Sequence, residues 1–178
     1  MCAQTILMLF FLACVSVPRV AVASGQGNQP LHDGPFEFHV TFPDFFEDLR
    51  GPHCAFRVVG DWHVVLRDVV YFDEQDHHPI RVQTFVVFSG TLSNADAGVS
   101  VPDGGAFKLI DYLAPDGSVT KEIEIENRRS SPYLHATFRA GTDAEGNIIF
   151  DSGRDWLFTS RHPLDIGPLC SALSQSGL

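Results

Sequence analysis

The chain has 178 residues, 44% of them apolar, with 22 acidic against 12 basic side chains and a formal net charge of −10. That balance disfavours nucleic acid and anionic membrane surfaces as partners, because both demand a cationic footprint. Fifteen phenylalanines in so apolar a chain belong to a folded domain with a real core, not to a disordered one.

Residues 1–23 read as an export signal. Residues 6–17 form an uninterrupted apolar run of h-region length, too short to span a membrane, and Ala21-Val22-Ala23 supplies the small-x-small pattern that places cleavage before Ser24. The preceding stretch has no Lys or Arg, which is atypical of a signal. Phe11-Leu12-Ala13-Cys14 loosely matches a lipobox, so the alternative to simple secretion is a lipoprotein anchored through Cys14; a buried apolar helix is the third reading. No other segment is long and apolar enough to span a membrane as a helix. Loss of the signal leaves two cysteines, Cys54 and Cys170, and in an oxidising compartment that pair predicts a disulfide.

Residues 24–34 are polar and aperiodic, and read as a flexible arm. From Pro35 the pattern has a period of two: Phe36, Phe38, Val40 and Phe42 alternate with Glu37, His39 and Thr41, as in a half-buried strand. Pro43-Asp44 ends it, and residues 45–49 fit one helical turn capping the core. Residues 54–59 start the next strand, with a bend or bulge at Gly60-Asp61. Residues 62–72 are apolar on both faces, with Trp62, Val64, Leu66, Val70 and Phe72 on one and Val65, Val69 and Tyr71 on the other. Such a strand is buried on two sides or lines a cavity.

Residues 73–79 form a polar hairpin loop, and residues 80–91 return as a strand. Turn residues then recur at 94–98, 102–105, 115–117 and 143–147. They separate strands predicted at 106–113, 118–126, 133–140, 147–151 and 156–159. Glu122, Glu124 and Glu126 alternate with Ile123 and Ile125, which predicts acids facing water. From residue 161 a tail with Pro163 and Pro168 returns Cys170 to Cys54. The expected fold is all-β, with residues 35–178 forming a single antiparallel β-barrel, lipocalin-like in general shape, of about eight to ten strands; a β-sandwich is the alternative.

Three stretches carry a family resemblance. Cys54-Ala-Phe-Arg-Val resembles a Cys-x-Phe-x-Val opening strand. Gly90-Thr-Leu-Ser-Asn-Ala-Asp-Ala-Gly98 resembles a Gly-Thr-Leu-Thr-Asn-Pro-x-Thr-Gly segment. Gly146-Asn-Ile-Ile-Phe-Asp-Ser-Gly-Arg154 is similar to Gly-x-Val-x-x-Asp-x-Gly-Arg, and Leu169-Cys170 fits near the end. These belong to a broad group of uncharacterised secreted bacterial proteins, mostly actinobacterial. The resemblance implies a secreted β-fold and brings no activity with it. Ala95 stands where the group often has Pro, a change a turn accepts.

The residues offer few routes to catalysis. There is no Gly-x-Ser-x-Gly elbow, Walker loop, Gly-x-Gly-x-x-Gly or His-Glu-x-x-His, so no cofactor is expected. Asp61 and His63, with Arg67 and with His39 or His135 from other strands, are the candidates for acid/base work in a barrel mouth. The plainer reading is an outward polar face. Asp76, His77 and His78, beside Asp73 and Glu74, are the densest candidate metal ligands, against a solvated hairpin tip as the plainer reading. Trp62, Val65, Tyr71 and Phe88 are candidates to line a ligand cavity, and Phe42, Phe45 and Phe46 lid a mouth, form a hydrophobic contact surface or cap the core. The leading expectation is a secreted domain binding a small apolar molecule or a protein partner. The alternatives are a barrel-scaffold isomerase or cyclase using the His/Asp cluster, and a structural protein of the envelope.

Overall fold

The computed structural model describes residues 29–45, 53–127, 132–134, 137–154 and 165–174. The expected signal, most of the turn at 45–49, the strand at 156–159, Phe46 and His135 lie outside them. Seven strands run in chain order as β1 (Leu31–Phe42), β2 (Val58–Phe72), β3 (Pro79–Asn94), β4 (Ser100–Leu113), β5 (Val119–Asn127), β6 (Thr137–Asp143) and β7 (Ile148–Arg154), followed by a helix α1 (Gly167–Ser174). Each strand pairs antiparallel with the next, in one seven-stranded sheet ordered β1 to β7. The all-β antiparallel expectation holds. The closed barrel does not: among the described residues β1 and β7 are edges and do not pair with each other.

Several boundaries differ from expectation for identifiable reasons. β1 begins at Leu31, inside the segment read as an arm, because Leu31 and Asp33 pair with Val70 and Asp68. A bulge between Asp33 and Phe36, where Gly34 takes a positive φ of 96°, shifts the alternation and hides those residues from a period-two reading. Gly60-Asp61 is neither bend nor bulge: β2 runs through it in register, paired with Leu92 and Thr91. Gly60 instead makes room for Trp62, whose ring carbon lies 2.0 Å from where a Cβ would stand.

Residues 102–105 form no turn either, but lie within β4 opposite Thr91, Gly90, Ser89 and Phe88. Among the described residues β5 pairs with β4 only from Ala106 onward, and Pro102 falls outside that stretch, where a proline is most readily accepted. The tail holds an unexpected helix. Ile166, Leu169 and Leu173 recur at helical spacing and are all buried. Asp165 Oδ1 accepts from the Gly167 N–H at 2.9 Å, and Pro168 occupies the first turn, where its missing N–H costs nothing.

One face of the sheet, here the inner face, carries the core. Trp62 sits at its centre, with ring centroids of Phe42, Phe45 and Phe88 at 5.7, 5.4 and 6.3 Å. Phe42 and Phe45 are therefore core cap. The Leu92 end of this face is closed by α1, joined by the Cys54–Cys170 disulfide, whose Cα atoms are 5.4 Å apart.

Buried Asn94 locks the same end. Its Oδ1 accepts from the N–H groups of Asp96 and Ala97 at 3.0 and 3.1 Å, and its Nδ2 donates to the Leu173 carbonyl at 3.2 Å. Asn94→Ala strips the partner from the buried Leu173 carbonyl and from the turn N–H groups of Asp96 and Ala97. The expected loss is about 2 kcal/mol of unfolding free energy, measured by urea denaturation; an unchanged midpoint would mean these bonds are replaced at no cost.

Candidate functional site

Alternation along paired strands sorts the charged residues onto two faces. The strand cations whose side chains are described, Arg67, Arg81, Lys108, Lys121 and Arg139, all occupy outer rows. Aromatic rings lie against four of them. Arg81 lies 3.9 Å over the Tyr71 ring, Lys108 5.3 Å from Phe85, Lys121 5.5 Å from Tyr112 and Arg139 5.4 Å from Phe150. Glu37, Asp61 and Asp143 also lie in outer rows, but a second group of acids fills inner rows. Asp68 lies opposite Thr84, which lies opposite Leu109 and then Glu124. In the adjacent inner row, Val70, Val82, Asp111 and Glu122 stand side by side across β2 to β5.

This overturns the expectation that Glu122, Glu124 and Glu126 face water. Glu124 and Glu126 are 4% and 1% exposed, and Glu122 is half-buried. The alternation is present, with its direction reversed. Ile123, across from Ile110 and also buried, holds the outer row, so β5 is apolar outside and acidic inside. A period of two gives the relative facing of residues and says nothing about which side is core.

Asp68, Asp111 and Glu122 form a coupled set. Burial raises the Asp68 carboxyl above the ordinary range; a hydrogen bond from Thr84 partly offsets this, and the nearby Asp33 charge adds to it. Burial, then the charge of Asp68, raises Asp111 to about 6. Burial, then the charge of Asp111, raises Glu122 to about 7. Asp68 Oδ1 and Asp111 Oδ1 are shut from solvent without a hydrogen-bond partner. Low dielectric and like charge act in the same sense here, so ionisation of the set is costly unless a cation meets it.

The residues singled out from sequence fall elsewhere. Asp61 and His63 lie on the outer face, with side chains 46% and 49% exposed. Asp61 pairs with His39 at 2.7 Å and accepts from the Thr41 hydroxyl at 3.1 Å, while His63 stands 3.4 Å from Glu37. The two are not brought together, and neither points into a cavity. Exposed pairs of this kind contribute little. Trp62 and Phe88 lie inside the core, whereas Val65 and Tyr71 are in outer rows, so the four cavity candidates do not share a surface. Outward, Phe85 and Val87 are exposed, and the second apolar face of β2 and β3 is therefore a surface and not a second buried side.

At the β2–β3 hairpin, Asp73, Asp76 and His78 gather their ligand atoms within 4.8 Å of one another, and His77 is left out with a positive φ of 58°. The short hydrogen bond from His78 holds the exposed Asp76 carboxyl below its usual range. Asp73 Oδ1 accepts the Gln75 N–H at 2.8 Å, so these side chains already serve to close the turn. Among the described residues no helix is long and apolar enough to cross a membrane.

Comparison of the chain with protein-family models, with curated proteins and with solved structures gave no match. The site must be read from its own chemistry. Sequence alone held one usable signal for it: Asp68 and Asp111 interrupt strands whose neighbouring same-face residues, Val70, Leu66 and Leu109, are apolar. An acid in phase with core residues is a buried acid.

Proposed function

We propose that this protein is an exported binding domain that takes a small molecule on the inner face of its sheet, at the end remote from α1. One observation carries the reading. At the α1 end the inner rows are sealed, with Leu92, Val58 and Leu169 fully buried. At the opposite end Val70, Val82, Asp111 and Glu122 continue the same face but remain half-buried. An apolar floor with a few converging polar groups is the usual make-up of a small-molecule site. The disulfide and the absence of a membrane-crossing helix among the described residues are compatible with an extracellular location. The resemblance to secreted bacterial β-proteins supports the same reading.

The neutral dye Nile red tests it. Its fluorescence should rise saturably with the full chain at pH 8, and Val82→Trp, which fills the floor between Val70 and Asp111, should abolish the rise while the circular dichroism spectrum stays unchanged. Equal dye binding by a folded Val82→Trp protein would remove this face as the site.

A further inference from the structure

We infer that the inner-face site takes an aliphatic diamine or polyamine, its ammonium groups met by Asp68, Asp111 and Glu122 and its methylenes laid over Val82. The inference rests on the inner-face reading above and adds the chemistry of the ligand.

Three observations support it. First, Asp68 is only 9% exposed, its Oδ1 is unpartnered, and Asp111 Oδ1 is in the same condition. A buried carboxylate oxygen without a donor calls for one, and the strand cations whose side chains are described all point outward. Second, the carboxylates are strung out and not clustered. Asp111 and Glu122 are direct partners across β4 and β5, whereas Asp68 lies on β2 with β3 between. With neighbouring strands about 5 Å apart, the three intervals from β2 to β5 spread the charges over roughly 15 Å of the sheet. Among the described residues, the one group of three ligands close enough for a single ion is Asp73, Asp76 and His78 at the hairpin. The inner set suits separated charges better than a point ion. Third, Val82 stands between Val70 and Asp111 in the same row, so the space between the charges has an apolar floor. An alkyl spacer satisfies it, and a hydrated metal ion does not.

The remaining groups on this face add to the negative field: Asp33 from β1, Glu124 and Glu126 from β5 and Asp151 from β7, with the hydroxyls of Thr84 and Thr142 from β3 and β6; Asp103 of β4, at the α1 end, accepts from Trp62 Nε1. Binding therefore follows ionisation of the set. It should be strong at pH 8 and fade as Glu122 and Asp111 take up protons near pH 7 and 6.

Isothermal titration of the full chain with spermine and putrescine at low salt, with calcium chloride in a parallel arm, decides the matter. The expected result is saturable spermine binding at pH 8, weakened about tenfold or more by Asp111→Asn or Glu122→Gln, lost at pH 5, and unchanged by Asp116→Asn in an exposed turn. Spermine binding insensitive to Asp111→Asn and Glu122→Gln would overturn the inference, since attraction to scattered surface acids then suffices. Calcium binding that both variants abolish, with none for spermine, would overturn it in favour of an ion site. Saturable Nile red binding with no spermine heat would overturn the amine while sparing the inner-face site; failure of both probes would end both readings.

Discussion

Replacing Cys54 and Cys170 together by alanine is expected to lower the unfolding free energy by about 4–5 kcal/mol. The two cysteines are 116 residues apart in sequence, so their bond closes most of the described domain into one loop and removes a large share of the unfolded chain's freedom. The native side adds to this. α1 is an eight-residue helix, too short to persist on its own, and it is held by burial of Ile166, Leu169 and Leu173 and by the disulfide. Without the disulfide, α1 can leave the Leu92 end of the core and expose the packing around Trp62 and Phe45. Urea denaturation of the double variant beside the parent measures the loss. Cys54→Ala alone should match the double variant, because a single thiol has nothing to close. A loss below about 1 kcal/mol would mean that the loop constrains little and that apolar packing alone seats the helix.

The disulfide was legible because it follows from counting cysteines and reading an export signal, neither of which needs geometry. The strands were legible for the same kind of reason. Phe36, Phe38, Val40 and Phe42 alternate without interruption, and they do share the inner face. What was not legible needed knowledge of neighbours. Pro102 looks like a turn residue until it is seen opposite Thr91 within β4. Leu31 looks like part of an arm until the bulge after Asp33 is placed. The helix at Gly167–Ser174 is only eight residues, too few for periodicity to stand out, and its signal at Ile166, Leu169 and Leu173 is read as helical only once those residues are known to be buried.

The candidate site failed in a more instructive way. His and Asp pairs attracted attention because histidine titrates near neutrality, yet His39, Asp61 and His63 stand in water on the outer face. The groups whose titration the fold shifts furthest upward are plain carboxylates inside strands. An alternating Glu-Ile pattern normally puts the acids outside, which is why the sequence around Glu122 points to solvent. Here aromatic rings draw the cations outward, Ile110 and Ile123 pack on the outer face, and the acids are left to the interior. The charge pattern of the whole sheet, not of β5, determines which way β5 faces.

That inversion has a cost, and it sets the second large effect. Glu122 goes from an ordinary 4.5 to about 7 in the folded protein and Asp111 from 3.8 to about 6. The unfolded chain gives up these protons near pH 4, whereas the folded chain keeps them until pH 6 to 7. Between those limits the folded state binds more protons, so stability falls as pH rises through the window. Below it both states are protonated and the penalty is absent; above it the penalty is complete.

Glu122→Gln removes one charge and relieves its partner Asp111, with an expected gain of about 2–3 kcal/mol at pH 8 and little or none at pH 4. The acids whose pKa is lowered, Asp76, Asp116 and Asp143, act in the opposite sense but only as pH falls below about 4, so they do not blur this window. Urea titrations at pH 4, 6 and 8 provide the check, with parallel curves for parent and variant as the result that would refute it. An ammonium ligand would act on the same residues from the other side, pulling both carboxyls back toward their ordinary range. The gain from Glu122→Gln should therefore shrink or reverse when spermine is present, because the carboxylate that burdens the empty protein is the one the ligand needs.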